Sequence, residues 1–172
     1  MRKSQTIVLI CVAAGATVGS AAVADTSMSS GSMSGVPANH RYLLGSWQCT
    51  VKLAAMQGEP ASTDHGVLTI SMSPGMTIHS HVAAKDFMSD TYQGYNAKTN
   101  THWLSTSDVF GDATLETSTD GSVYTGTTWQ GAMVTPTRDT YSKISETKIR
   151  DFTEIKQNDK WAQLADTICT KG

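Results

Sequence analysis

Basic residues are few. The chain has 13 Lys and Arg against 15 Asp and Glu in 172 residues. A nucleic-acid partner needs clustered cations to neutralise phosphates, so that class is not expected. Leucine is sparse too and charge is modest, while Thr and Ser abound; Thr favours strands, and the mixture reads as all-β. After residue 24 no apolar run approaches the 20 or so residues that a membrane-crossing helix needs. No Gly-x-Ser-x-Gly elbow and no Walker loop is present, so the usual signatures of serine hydrolases and P-loop enzymes are missing. Cysteine is limited to three, an odd count that leaves one without a partner until the N-terminus is considered.

The N-terminus has the three parts of a secretory signal. Arg2 and Lys3 are basic, Ile7 to Val18 is apolar, and Ala22-Val23-Ala24 places small residues at the −3 and −1 positions before Asp25. Residues 1–24 are therefore read as a signal peptide and the protein as secreted or periplasmic. Leu9-Ile10, so near the start, do not make Cys11 a lipidation site. Loss of the leader removes Arg2 and Lys3, so 13 basic residues become 11 against 15 acidic, a net charge of −4. It also removes Cys11. Cys49 and Cys169 remain, in a compartment that permits disulfides, and are expected to pair.

Residues 25–40 (DTSMSSGSMSGVPANH) lack hydrophobic periodicity and read as a flexible leader. Met28 and Met33 within it are read as incidental rather than as metal ligands. The domain is assigned to 41–172. Thr-rich short runs there recur with turn signals every 8–12 residues. The runs are 46–55, 66–73, 76–84, 88–96, 100–109, 112–118, 122–130, 137–143, 147–156 and 159–170, after a short helical turn at 41–44. Asp120-Gly121 is the strongest hairpin signal, and Pro136 falls between two runs. Short loops make consecutive strands antiparallel. A ten-strand meander hides its edges most directly by closing into an up-and-down barrel. Cys49 in the first run and Cys169 in the last would then meet across the seam.

Leu43-Leu44-Gly45-Ser46-Trp47 resembles the Leu-x-Gly-x-Trp opening of calycin barrels, the lipocalins and their relatives. Tyr92-Gln93-Gly94-Tyr95-Asn96-Ala97-Lys98-Thr99 is similar to the Gly-Tyr-Asp-x-Lys-Thr hairpin of secreted bacterial barrels grouped as domain of unknown function 1579. The segments Arg138-Asp139-Thr140-Tyr141, Lys160-Trp161 and Cys169-Thr170-Lys171 resemble the same group. The resemblance spans nearly all of 41–172 and implies a lipocalin-like barrel, with no activity attached. It gives Gly45 and Trp47 a structural role at one barrel end, with Lys171 a candidate to stack on the indole. The related nitrobindins hold haem through a histidine near the C-terminal end. The last histidine here is His102, so that route to haem is absent.

His79-x-His81 puts two imidazoles on one face of a strand, about 7 Å apart, and His102 is a third candidate ligand for a metal. The same alternation turns Ile78, Ser80 and Val82 inward, which leaves both histidines on a solvated face. His65 is set beside Asp64 in a turn, and Asp64 and the Asp86/Asp90 pair are minor acid–base candidates. Tyr92, Trp103, Tyr124 and Trp129 are candidate wall residues of an interior cavity, since ten strands enclose more width than eight. The leading expectation is a binding barrel for a small, partly apolar ligand, with no cofactor and no membrane span after signal cleavage. A small enzyme using a His-bound metal and an envelope interaction protein are the alternatives. The oligomeric state is not legible. Intact-mass measurement of protein from an exporting host is expected to give a chain beginning at Asp25 and two hydrogens lighter than the reduced form. A chain retaining residues 1–24 would remove the basis for export.

Overall fold

A computed structural model describes residues 38–56, 59–73 and 77–172; the expected signal peptide and nearly all of the expected leader lie outside them. A 3-10 helix, η1 (Ala38–Leu43), precedes ten strands. These are β1 (Gly45–Leu53), β2 (Ser62–Ser73), β3 (Thr77–Ala84), β4 (Met88–Asn96) and β5 (Thr101–Asp108). Then follow β6 (Ala113–Ser118), β7 (Val123–Gln130), β8 (Met133–Ser145), β9 (Lys148–Gln157) and β10 (Lys160–Lys171). Each strand pairs antiparallel with its chain neighbours, and β10 returns to β1, giving a closed up-and-down barrel. Closure leaves no edge strand.

Two strand bounds differ from expectation. β2 begins at Ser62 because its pairing with β1 runs back to Leu53↔Ser62, so Asp64 and His65 are strand residues and not turn residues. β8 begins at Met133 and contains Pro136, opposite Thr127. Pairing of β8 with β9 starts only at Thr137↔Ile155. Pro136 thus lies where β8 has one neighbour, a position that spares a ladder hydrogen bond.

The seam is held at three levels. Cys49 and Cys169 are opposed in register and bonded. Two residues along, Trp47 faces Lys171. Trp47 is fully buried, its Nε1 donates to Leu43 O at 2.7 Å, and Lys171 Nζ stands 5.0 Å from the ring centroid. Lys171 Nζ also donates to Tyr42 O at 2.8 Å. One cation therefore ties η1, β1 and β10 together at this end, satisfying a carbonyl while facing the aromatic ring.

The interior divides by chemistry. On β1, β2, β3 and β10 it is apolar: Trp47, Ile70, Ile78 and the disulfide form one cluster, and Val51, Val82, Phe87 and Ala165 another. A bulge between Gln163 and Ala165 lets the consecutive Leu164 and Ala165 both be buried, as an extra residue in one strand permits. On β6 to β9 the interior is polar, and Glu116, Thr137, Asp139, Asp151 and Thr153 are all buried there. Gly126 makes this side possible. A Cβ on it would stand 1.9 Å from Leu115 O and 2.7 Å from Glu116 Cα, so only glycine lets β7 approach β6 at this point.

The bridge closes a loop between residues 120 apart. Replacing both cysteines by alanine is expected to lower stability by about 2–5 kcal/mol, read as a lower urea midpoint of a still cooperative transition. An unchanged midpoint would show that closure owes nothing to the bond.

Candidate functional site

A cavity of about 90 Å³ lies inside the barrel at the end covered by η1. Ten strands enclose more width than side chains need to fill an eight-strand barrel, yet this space is small. Bulky buried side chains, Trp47, Phe87, Leu104 and Tyr124 among them, take up most of the interior instead. The apolar wall of the cavity comprises Leu68, Ile70, Val82, Ile149 and the Cys49–Cys169 bridge. The polar wall includes Tyr124, Tyr141, Asp151 and Thr167, with Ser80 and Gln93 on the far strands. Tyr124 and Tyr141 meet edge to face, their ring centroids 5.5 Å apart.

Strand parity explains the polar wall. On β6 the pattern is inverted: Leu115 is 50 % exposed while its neighbour Glu116 is 1 % exposed. Register places Gly126 opposite Glu116, and Asp139 between Tyr124 and Thr153. Asp151 sits between Tyr141 on β8 and Thr167 on β10. Both carboxylate oxygens of Glu116 and of Asp151, with Thr137 Oγ1, Thr153 Oγ1 and Thr167 Oγ1, are buried without a hydrogen-bond partner. Each such orphaned group costs roughly 1–3 kcal/mol. Among the described residues no Lys or Arg pairs with these acids: Arg138 is held by Glu154 and Arg150 by Asp166.

The charged forms are therefore disfavoured. Burial, followed by the nearby Asp139 charge, pushes Glu116 up to about 9. Burial raises Asp139 as well. Asp151 is raised by burial and then by the charges of Asp139 and Glu116, with the Tyr141 hydroxyl pulling the other way. At neutral pH Glu116 holds its proton.

The four aromatic residues proposed as cavity wall separate. Tyr124 is buried and lines the cavity. Tyr92 is paired with His79 and stacks on it, ring centroids 4.9 Å apart. Trp103 lies flat over Gly94, where a Cβ would stand 2.4 Å from the ring. Trp129 is 40 % exposed. These last three have the outward parity of their strands and do not line the cavity.

The histidines separate as well. His79 Nε2 and His81 Nδ1 both meet Asp90 Oδ1, at 3.0 and 2.8 Å, on the outer parity of β3. Burial works to raise Asp90, but hydrogen bonds from His81 and His79 and their charges outweigh it and hold the carboxyl below its ordinary value. His102 has the inward parity of Leu104 and lies 4.8 Å from the Tyr95 ring, so the barrel wall separates it from the other two. Burial lowers its pKa, with the Asp120 charge opposing. Among the described residues no three His, Cys, Asp or Glu side chains are arranged to hold a metal ion. His65 Nδ1 meets Thr50 Oγ1 at 3.2 Å on the exposed face, and Asp64 accepts from the His65 amide.

Glu116, Asp139 and Asp151 were not singled out from the sequence. The available signal was the parity of Glu116 with Ser118 and of Asp139 with Thr137, but it becomes decisive only when register shows which parity faces inward. No protein-family model matches the chain, and no curated protein matches it.

Glu116 has a folded-state pKa far above its unfolded value, so the folded state binds more protons between about pH 4.5 and 9. Stability must then fall as pH rises through that window. Calorimetry is expected to show Tm declining from pH 5 to pH 9, with a shallower decline in Glu116→Gln. A Tm that is flat or rises over this range would contradict the buried, proton-holding assignment.

Proposed function

We propose that this protein is an exported, lipocalin-like barrel, of the kind grouped as domain of unknown function 1579, that binds a small, partly apolar molecule inside the barrel. The observation that carries the reading is the cavity itself. It is lined on one side by Leu68, Ile70, Val82 and the disulfide, and on the other by buried hydroxyl and carboxyl groups. Ligand sites typically combine an apolar lining with a few placed polar groups. At about 90 Å³ the space is well below the roughly 300–1,000 Å³ of drug-sized sites, so the ligand is a molecule of few heavy atoms. Export is supported by the Ala22-Val23-Ala24 cleavage pattern and by the Cys49–Cys169 bond, which an oxidising compartment maintains.

The two cysteines in the cavity wall are bonded to each other and so offer no thiol. Binding rather than turnover is the role its wall supports. Native mass spectrometry of the protein purified from its own host is expected to show a co-purifying adduct of low mass that is lost on mild activation. Protein that carries no adduct, and whose cavity-lining amides respond to no small apolar probe, would overturn the reading.

A further inference from the structure

Asp151 and Thr167 are opposed across the β9–β10 ladder and both line the cavity. They are 7 % and 6 % exposed. By geometry both Asp151 oxygens and Thr167 Oγ1 are buried with unfilled acceptor capacity, although the Tyr141 hydroxyl stands near enough to Asp151 to lower its pKa. Three buried acceptor atoms thus stand on the wall facing Leu68, Ile70 and Val82. We propose that the ligand is a small organic cation, a primary ammonium on a short apolar body, with its N–H groups received by Asp151 and Thr167. The assignment rests on the small-ligand reading above and names the chemistry of its polar end.

An ammonium brings three donors and no acceptor, matching three buried acceptor atoms. A neutral alcohol brings one donor. An anion brings acceptors and no donor, so it would leave the acceptor atoms of Asp151 and Thr167 unmatched. A bare metal ion would gain nothing from the apolar wall, and among the described residues no three ligating side chains converge. The rings of Tyr124 and Tyr141 line the same space, and aromatic faces attract cations; the Tyr42 ring is already faced by Lys143. The protein's own cations do not fill the role. Arg150 is engaged by Asp166 at 2.7 and 3.0 Å, and Lys171 by the Tyr42 carbonyl.

Binding carries a proton with it. Burial and the neighbouring acids favour the neutral carboxyl at Asp151, so seating R–NH3+ against a carboxylate releases one proton to solvent while the ammonium keeps its own three. The titratable and charged groups about Asp151 are Tyr141 and Asp139 on β8, Glu116 on β6, Tyr124 on β7, Tyr42 on η1 and the adjacent Arg150, which also lines the cavity while paired with Asp166. His102 has the inward parity of β5, and β10 contributes only Thr167 and the disulfide. Affinity for the ammonium must therefore rise with pH.

The test is an amide chemical-shift titration of the exported, disulfide-bonded protein with n-butylammonium, n-butanol and n-butyrate at pH 6, 7 and 8. The expected result is shifts at Asp151, Thr167, Val82 and Ile149. The ammonium should bind at least about tenfold tighter than butanol at pH 8, and its Kd should fall from pH 6 to pH 8. Butyrate should leave these amides unmoved. Asp151→Asn should abolish the ammonium's advantage and its pH dependence while butanol still binds, which shows that the variant's cavity is intact. Butanol binding as tightly as the ammonium, or an unchanged advantage in Asp151→Asn, would overturn the cation assignment and leave the small-ligand reading standing. If none of the three probes moves the cavity amides, the small-ligand reading falls and the assignment with it.

Discussion

Closure between β1 and β10 governs the rest of this structure. A meander of ten antiparallel strands has two edges, and each carries unpaired backbone donors and acceptors that attract other chains. Here the edges satisfy each other from Trp47↔Lys171 to Leu53↔Ala165. The Cys49–Cys169 bond spans the middle of that ladder, and Lys171 secures its end by facing Trp47 and holding the Tyr42 carbonyl. The bond is also part of the cavity wall. Staple and cavity wall are therefore the same atoms, and η1 lies over the space because Trp47 and Lys171 hold its carbonyls there.

The division of the interior follows from closure as well. Once the sheet closes, one parity of every strand faces inward regardless of its chemistry. On β1 to β3 that parity carries Trp47, Val51, Ile70, Ile78 and Val82, and they pack as an ordinary core. On β6 to β9 it carries Glu116, Asp139, Asp151 and their threonine neighbours. The apolar partners on these strands face out: Leu115, Trp129 and Val134 are 50 %, 40 % and 62 % exposed. The barrel is thus inside out along one side. Buried carboxyls without cations cost stability, and keeping them neutral reduces that cost. The opposite face of the wall carries the contrasting arrangement, in which His79 and His81 share one exposed carboxylate at Asp90.

Much of this architecture is legible in the chain. Strand number, order and antiparallel pairing follow from turn signals spaced along a Thr-rich sequence. The disulfide follows once Cys11 is assigned to the signal peptide. Ile78, Ser80 and Val82 read as inward because β3 alternates cleanly, which placed His79 and His81 outside. The reading failed where one strand's chemistry did not declare its face. Trp103 and Trp129 look like core by residue type, yet register turns them outward. Glu116 looks like surface, yet it is among the most buried side chains. Pro136 looks like a strand break, yet it sits in β8 because that stretch has a neighbour on one side only.

The sequence by itself determined the number of strands, their antiparallel succession and the pair of cysteines that joins the ends, because turn residues, alternation and redox chemistry act over a few residues or through simple counting. Only the tertiary structure decided which parity faces inward on β6 to β9, and so that Asp151 and Thr167 meet beside an apolar wall. That choice is not local. Shifting a strand by one residue exchanges its two faces, and register is set by all ten strands closing together. The acids are held inside by the ring of pairings as a whole, not by any preference of their own.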